Sequence, residues 1–556
     1  MSVSPLTSDG TTIPSHRFVV SALAALALAI VWCFMFSISS EDPWYRNADM
    51  NVHNMVDALA INSNLAPNPF AQPGVPLKYL LAIDYRIRHH FGLLPIWNMK
   101  KLGDSPDPLR AIPALIRIER VHSRILVIAL VLAAAGLTYS VTREFDAACL
   151  SIILLCGSAG LLFQGLLSRP ELLCVGIGNV LALWCTWQST STQRWPAKHG
   201  WLFLAGLLGG LATLEKLPGI CYVLVCYGWC WLAALIAMRE GSEPAKVEHL
   251  PRPHFWSGLL PAAGAGATLW VLFQLDQFHD DLGPVVLWRL RFAATFITVL
   301  PLLAQCDGRS RLGTFLLERA RELALLGGGT LAAIPLSYLA LRGVLTSQPA
   351  SQYMTGVLHF LVNPAPYMDS FLGGQEESRQ ALLASLRETP FLFGSTILVT
   401  LAICLVRSVS LRLKAFIGLL LVTALGLTYL MSKRHFADQY SIFPQVPLLL
   451  VWSLSLSALL YGRRTGLPKY YVHWTTPLAF SAAFILTVTV YLRVQPKYYH
   501  YQDDVCLPVS NLTLTFLFDH DAHTAAYLRL MKEHYSDRIT FAKRLDLYLA
   551  DPANRY

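Results

Sequence analysis

The chain has 556 residues, 54% of them hydrophobic and 14% charged, with a formal net charge of +9 and a mean hydropathy of +0.45. A soluble globular domain carries about 25% charge, so this composition excludes a soluble enzyme and marks a polytopic integral membrane protein. The basic balance fits cytoplasmic loops, and no stretch interleaves Lys and Arg with aromatics as a nucleic-acid surface would, so no nucleic acid is expected as a partner.

An all-α fold follows from the bilayer itself. Backbone polar groups cannot go unpaired in hydrocarbon, so apolar runs there are helices rather than open strands. About thirteen runs approach the ~20 apolar residues that a crossing needs. They lie near 18–38, 122–141, 147–164, 171–189, 200–215, 218–237, 256–276, 284–304, 322–345, 391–406, 414–431, 441–461 and 474–492. The links at 164–171 and 215–218 are short enough to be re-entrant bends. The first run ends FSISS without a small-residue cleavage site, so it reads as a retained anchor behind a cytoplasmic segment 1–17.

The positive-inside rule then orients the chain. With the N-terminus cytoplasmic, the cytoplasmic links carry Arg143, Lys198, Arg239, Arg252, Arg311, Arg319, Arg412, Arg463 and Arg464. The transmembrane module is 18–492, with a first outer loop at 39–121 and a late outer loop at 346–390. A tail, 493–556, forms a small outer-face α/β cap, with a short strand LTLTFLF (512–518) before a helical stretch Ala522 to Leu549. Within the first outer loop, Val52 to Ile61 and Val75 to Phe91 have apolar residues at helical spacing. Residues 109–124 are amphipathic and run into the second span, which suits juxtamembrane helices lying along the outer face. The eleven Cys form no CxxC and sit mostly in apolar runs, so they read as small buried hydrophobes rather than a disulfide framework.

Polar residues gather at one edge of the membrane. Directly after the first span, residues 41–72 hold Glu41, Asp42, Asp49, His53 and Asp57 among Trp, Tyr and Asn. Four further knots fall on the same expected face: SRPELL (168–173), EKLPG (215–219), DQFHDD (276–281) and SKRHFADQY (432–440). A charge at such a position costs several kcal/mol if it faces lipid. Together they suit transfer from a charged lipid. Lys433, Arg434 and Arg169 would neutralise a phosphate, Arg in a two-pronged way. Asp49 would take a proton from an acceptor hydroxyl. There is no P-loop, no G-x-G-x-x-G after a strand and no H-E-x-x-H.

This order of motifs resembles the GT-C class of integral-membrane glycosyltransferases, the polyprenyl-phosphate-sugar-dependent group related to protein mannosyltransferases and aminoarabinose transferases. ADMNVHN fits that class's acidic first outer loop, and AQPGVPLKYL its H-P-G stretch, with Gln72 in place of His. SRPELL looks like its A/S-R-P-E/D segment. GLLGGLATLEKLPG (206–219) looks like the stretch ending in Lys216, and KRHFADQYSIFPQVPLLL like the late R-Y-x-x-P-x-x-P segment, although Tyr440 is not preceded by Arg. The resemblance implies Asp49 as catalytic base, with Asp42 and Asp57 as fallbacks, and Glu171 as a second catalytic acid near the acceptor or a metal. It implies Arg169, Lys216, Lys433 and Arg434 as donor-phosphate ligands, with His53 and Tyr440 as further substrate contacts. The plainer alternative pairs Glu171 with Arg169 and Lys216 with Glu215.

The implied partners are a polyprenyl-phosphate-linked sugar donor, a glycan, lipid or protein acceptor, and membrane lipid. No cofactor is expected and no residue is assigned to a metal, with a divalent ion as the alternative. The expected location is a bacterial inner membrane with the active site facing the periplasm. The sequon Asn511-Leu512-Thr513 would suit a lumenal face equally. Rival readings are a transporter or flippase of lipid-linked sugars, which would carry ionisable residues at mid-membrane or paired half-helices, a glycan polymerase or ligase, and a subunit without chemistry.

Overall fold

The computed structural model describes residues 13–41, 51–67, 74–105, 108–166, 169–191, 195–240, 255–278, 283–303, 311–362, 390–432 and 440–461, with isolated residues 376, 379, 380, 383, 482, 485 and 489. These residues form helices and their connections. In chain order they are α1 (Ile13–Glu41), α2 (Asn51–Asn62), α3 (Val75–His90), α4 (Met99–Gly103), α5 (Pro108–Thr142), α6 (Phe145–Cys156) and α7 (Ala159–Leu166). Next come α8 (Pro170–Ser191), α9 (Trp195–Glu215), α10 (Gly219–Arg239), α11 (Phe255–Phe278) and α12 (Gly283–Leu303). The remainder are α13 (Arg311–Arg342), α14 (Ser347–Val362), α15 (Pro390–Leu405), α16 (Leu411–Ser432) and α17 (Ile442–Tyr461).

Eight helices among the described residues are long and apolar enough to cross a membrane: α1, α5, α8, α10, α11, α13, α16 and α17. The chain is therefore a multi-pass membrane protein. Three more of the expected runs, at α9, α12 and α15, are also helical. The expected span 147–164 is one apolar stretch in sequence but a bent pair in space. Helices α6 and α7 meet at 63° across Gly157 and Ser158, as a broken span or re-entrant loop. The bend thus falls inside that run, ahead of the link at 164–171. The run 474–492, the tail cap with its strand, and most of the late outer loop lie outside the described residues.

The described part of 39–121 folds as its periodicity predicts. Its two amphipathic stretches become α2 and α3, and the 109–124 stretch forms nearly the first half of the 35-residue α5. Asn62, closing α2, donates its amide to the carbonyls of Ala82 (2.8 Å) and Trp97 (3.0 Å), which locks α2 against α3. Large apolar side chains such as Leu132, Leu224, Phe273, Leu398 and Val422 face outward, as a lipid-facing surface requires.

Among the described residues, buried apolar side chains form two large bodies and a small third one at Phe393, Ala424 and Leu448. One large body holds Val31, Val127, Leu161, Tyr222, Phe416 and Val451, and the other Met55, Leu81, Leu115, Leu272, Ile334 and Tyr353. These two meet along α8 and α9. Leu172 and Ala212 pack into the first body, while Leu173 and Leu214 pack into the second. Close approach of α9 to α13 holds the junction: a methyl group at Gly206 or Gly210 would strike the backbone of Leu326 or Thr330. Small residues let membrane helices approach this closely.

Candidate active site

The SRPELL motif is positioned by its proline. Arg169 precedes Pro170 and takes the extended backbone, φ −130° and ψ 143°, that a pre-proline residue prefers. Pro170 then opens α8 and places Glu171 in the first turn, where the exposed amides of a helix start favour a negative charge. Glu171 is fully buried, and Arg169 is nearly so. The Arg169 Nε lies 3.5 Å from Glu171 Oε2.

The second partner of Glu171 comes from the turn between α9 and α10. Lys216 ends the α9 hydrogen-bond ladder, its amide donating to Ala212 O (2.9 Å), and its ammonium contacts Glu171 Oε1 directly. The same ammonium stands 4.9 Å from the centre of the Tyr440 ring, a cation–π arrangement that keeps a buried cation attracted without a second carboxylate. The Lys216 carbonyl accepts a weak hydrogen bond from Cys174 Sγ (3.8 Å), tying the turn to α8. Arg169, Glu171, Lys216 and Tyr440, from three separate motifs, are thus one buried cluster.

Tyr440 sits just ahead of α17, and the bend between α6 and α7 fixes this end of the helix. Gln445 Oε1 accepts from Ser158 Oγ (2.8 Å) and from the Gly160 amide (2.9 Å). A side chain at Gly160 would strike Ser441. The sharp turn at Gly157–Ser158 therefore docks onto the SIFPQVP segment.

A second group of charges adjoins the first. Lys78 in α3 is buried and pairs with Asp57 of α2 at 2.7 Å, and its ammonium is 5.6 Å from the Tyr353 ring centre. Burial holds the Tyr353 phenol well above its ordinary pKa, and the carboxylates of Asp57 and Glu215 push it the same way, so it is neutral at ordinary pH. Glu215, one residue before Lys216, accepts at Oε2 from the Leu77 amide (3.1 Å), and its carbonyl accepts from the Gly74 amide (3.0 Å).

Of the plainer pairing expected from sequence, Arg169 with Glu171 holds and Lys216 with Glu215 is corrected. Glu171 takes both cations, and the Glu215 carboxyl goes to the Leu77 amide of α3. Asp49, Lys433 and Arg434 lie outside the described residues. His53 lies in the first turn of α2. Lys78, Tyr353 and Gln445 were not singled out by sequence reasoning, while Asp57 entered only as a fallback and Glu215 only as the expected partner of Lys216. A signal was there for Lys78, the lone charge in the apolar run VPLKYLL. Among the described residues no three His, Cys, Asp or Glu side chains gather as a metal site.

Fold and cluster define the chain as a helical multi-pass membrane protein with a buried polar site where its helices end. No protein-family model matches the chain, and no curated protein does. Solved structures that match include the apo oligosaccharyltransferase of Archaeoglobus fulgidus, 15% identical with a TM-score of 0.43, over 91% of this chain and 59% of that one. The chain thus spans less than two thirds of that relative's length. ArnT from Cupriavidus metallidurans matches in its apo state at 14% identity and a TM-score of 0.27, over 81% of this chain and 78% of that one. ArnT bound to undecaprenyl phosphate matches at 13% and 0.27, over 79% and 78%. At this level of likeness no family is assigned to the chain.

Proposed function

We propose that the chain is a membrane glycosyltransferase that moves a sugar from a polyprenyl-phosphate donor to an acceptor hydroxyl on the outer face of the membrane. One observation carries this reading: Arg169, Glu171, Lys216 and Tyr440, far apart in sequence, form one buried cluster, with Lys78 and Asp57 beside it. Helical membrane proteins keep ionisable residues in such places for function, because a buried charge facing lipid is costly.

In the proposed reaction the acceptor oxygen bonds to the sugar's anomeric carbon as that carbon's bond to the donor phosphate breaks. The bonding pair leaves with polyprenyl phosphate, and Asp49 takes the acceptor's proton. The transition state has oxocarbenium character, as in glycoside cleavage. Arg169 and Lys216, with Lys433 and Arg434, receive the negative charge growing on the departing phosphate. Glu171 holds Arg169 and Lys216 in place until the donor arrives, and Tyr440 keeps the Lys216 ammonium against an aromatic face.

Lipid extracts of a deletion strain test the assignment. A polyprenyl-phosphate-linked sugar should accumulate there, disappear on complementation with the wild-type gene, and persist with Asp49→Asn. Unchanged lipid-linked sugars in the deletion strain would sink the transferase reading. A lipid-linked sugar that builds up only on the cytoplasmic side would favour a flippase instead.

A further inference from the structure

Helix α3 starts without a local cap. Its N-cap residue is Gly74, in the left-handed region at φ +48°, with no side chain to offer. The amides at a helix start have no carbonyl within the helix to donate to, so those of Gly74 and Leu77 must find partners elsewhere. Both partners come from Glu215, 138 residues from Leu77. Its carbonyl accepts from Gly74 and its Oε2 from Leu77. Glu215 is fully buried.

The geometry points to Glu215 as a positioning residue, a long-range cap that couples the first outer loop to the Lys216–Glu171 cluster. The path runs both ways from Glu215. On one side is Lys216, the next residue, bound to Glu171. On the other is the first turn of α3, which carries Lys78; Lys78 grips Asp57, and Asp57 lies in α2. Helix α2 begins at Asn51, two residues after Asp49 in the sequence. Glu215 therefore joins α3, and through Lys78 and Asp57 also α2, to the Lys216–Glu171 cluster. Its functional meaning rests on the transferase reading; its existence as a cap does not.

The experiment uses the full chain in lipid nanodiscs, with amide hydrogen exchange over residues 74–81 and binding of undecaprenyl phosphate as the probe. Glu215→Asp shortens the side chain by one methylene and keeps the carboxyl group. Exchange at Leu77 should rise at least tenfold while α9 and α10 stay protected, and affinity for the probe should fall at least fivefold. Glu215→Gln keeps an acceptor oxygen and should restore both. Wild-type exchange in Glu215→Asp would overturn the cap. Faster exchange with unchanged probe affinity would keep the cap and overturn the coupling. Absence of probe binding by the wild-type chain would overturn the donor reading, and exchange alone would then decide the cap.

Discussion

The ammonium of Lys216 and the carboxylate of Glu171 lie in direct contact, 45 residues apart in sequence and both buried. The Arg169 guanidinium completes the group at 3.5 Å. Removing one partner of a buried pair strands the other, at a cost of about 3–5 kcal/mol. Lys216→Met should therefore lower thermal stability sharply in detergent, and Glu171→Gln added to it should recover much of the loss. If the double variant is no more stable than Lys216→Met, the pair is not the coupled unit the geometry indicates.

Gly74 is required by its conformation. Its φ of +48° disfavours any residue with a Cβ, and a Cβ there would sit 3.3 Å from Lys78 Cε. Gly74→Ala should cost about 1–3 kcal/mol, the range for a strained left-handed residue. It should also disturb Lys78 and so weaken transfer; a variant as stable and active as wild type would contradict this account of α3.

Gln445 accepts from both the Ser158 hydroxyl and the Gly160 amide at the α6–α7 bend. Gln445→Leu fills similar space and leaves both donors buried without it. A buried donor left unsatisfied costs about 1–3 kcal/mol. Proteolysis or hydrogen exchange should show the α6–α7 bend loosening, with Tyr440 displaced and transfer reduced. Unaltered protection at 157–160 would show that the bend holds itself.

Asp49→Asn should abolish transfer while the protein still inserts and binds the lipid donor. Lys433→Ala and Arg434→Ala should raise the donor KM more than the acceptor KM. Turnover by Asp49→Asn at the wild-type rate would shift the base to Asp57 or Asp42, and an unaltered donor KM would remove the two cations from the phosphate site.

Tyr353 gives a pH test with a defined sign. Its phenol is held above the ordinary value, mainly by burial and then by Asp57 and Glu215. A folded-state pKa above the unfolded value, about 10 for tyrosine, gives stability that is fully present below that pH and lost as pH rises through the folded value. Tyr85, raised by burial and by Glu119, acts in the same direction. Tyr353→Phe should therefore lose less stability than wild type between about pH 10 and 11. Identical alkaline melting curves would show that Tyr353 ionises freely.

Much of the architecture was legible before any fold was known. Long apolar runs had to be helices, because a bilayer leaves no other partner for their backbone groups, and α1, α5, α8, α10, α11, α13, α16 and α17 stand where hydropathy places them. Amphipathic spacing also located α2 and α3 between the first two spans. The break between α6 and α7 escaped this reading, since hydropathy is blind to direction and Gly157–Ser158 looks like any small pair inside a span.

Arg169, Glu171, Lys216 and Tyr440 were visible one by one as polar residues at membrane edges. What only the tertiary structure decided was who meets whom. Sequence proximity favoured Arg169 with Glu171 alone and Lys216 with Glu215. In space Glu171 takes both cations, while Glu215 is spent on the amides of Gly74 and Leu77. Pairing of buried charges depends on which helix ends pack together and which donors lack partners there, and those are properties of the assembled bundle.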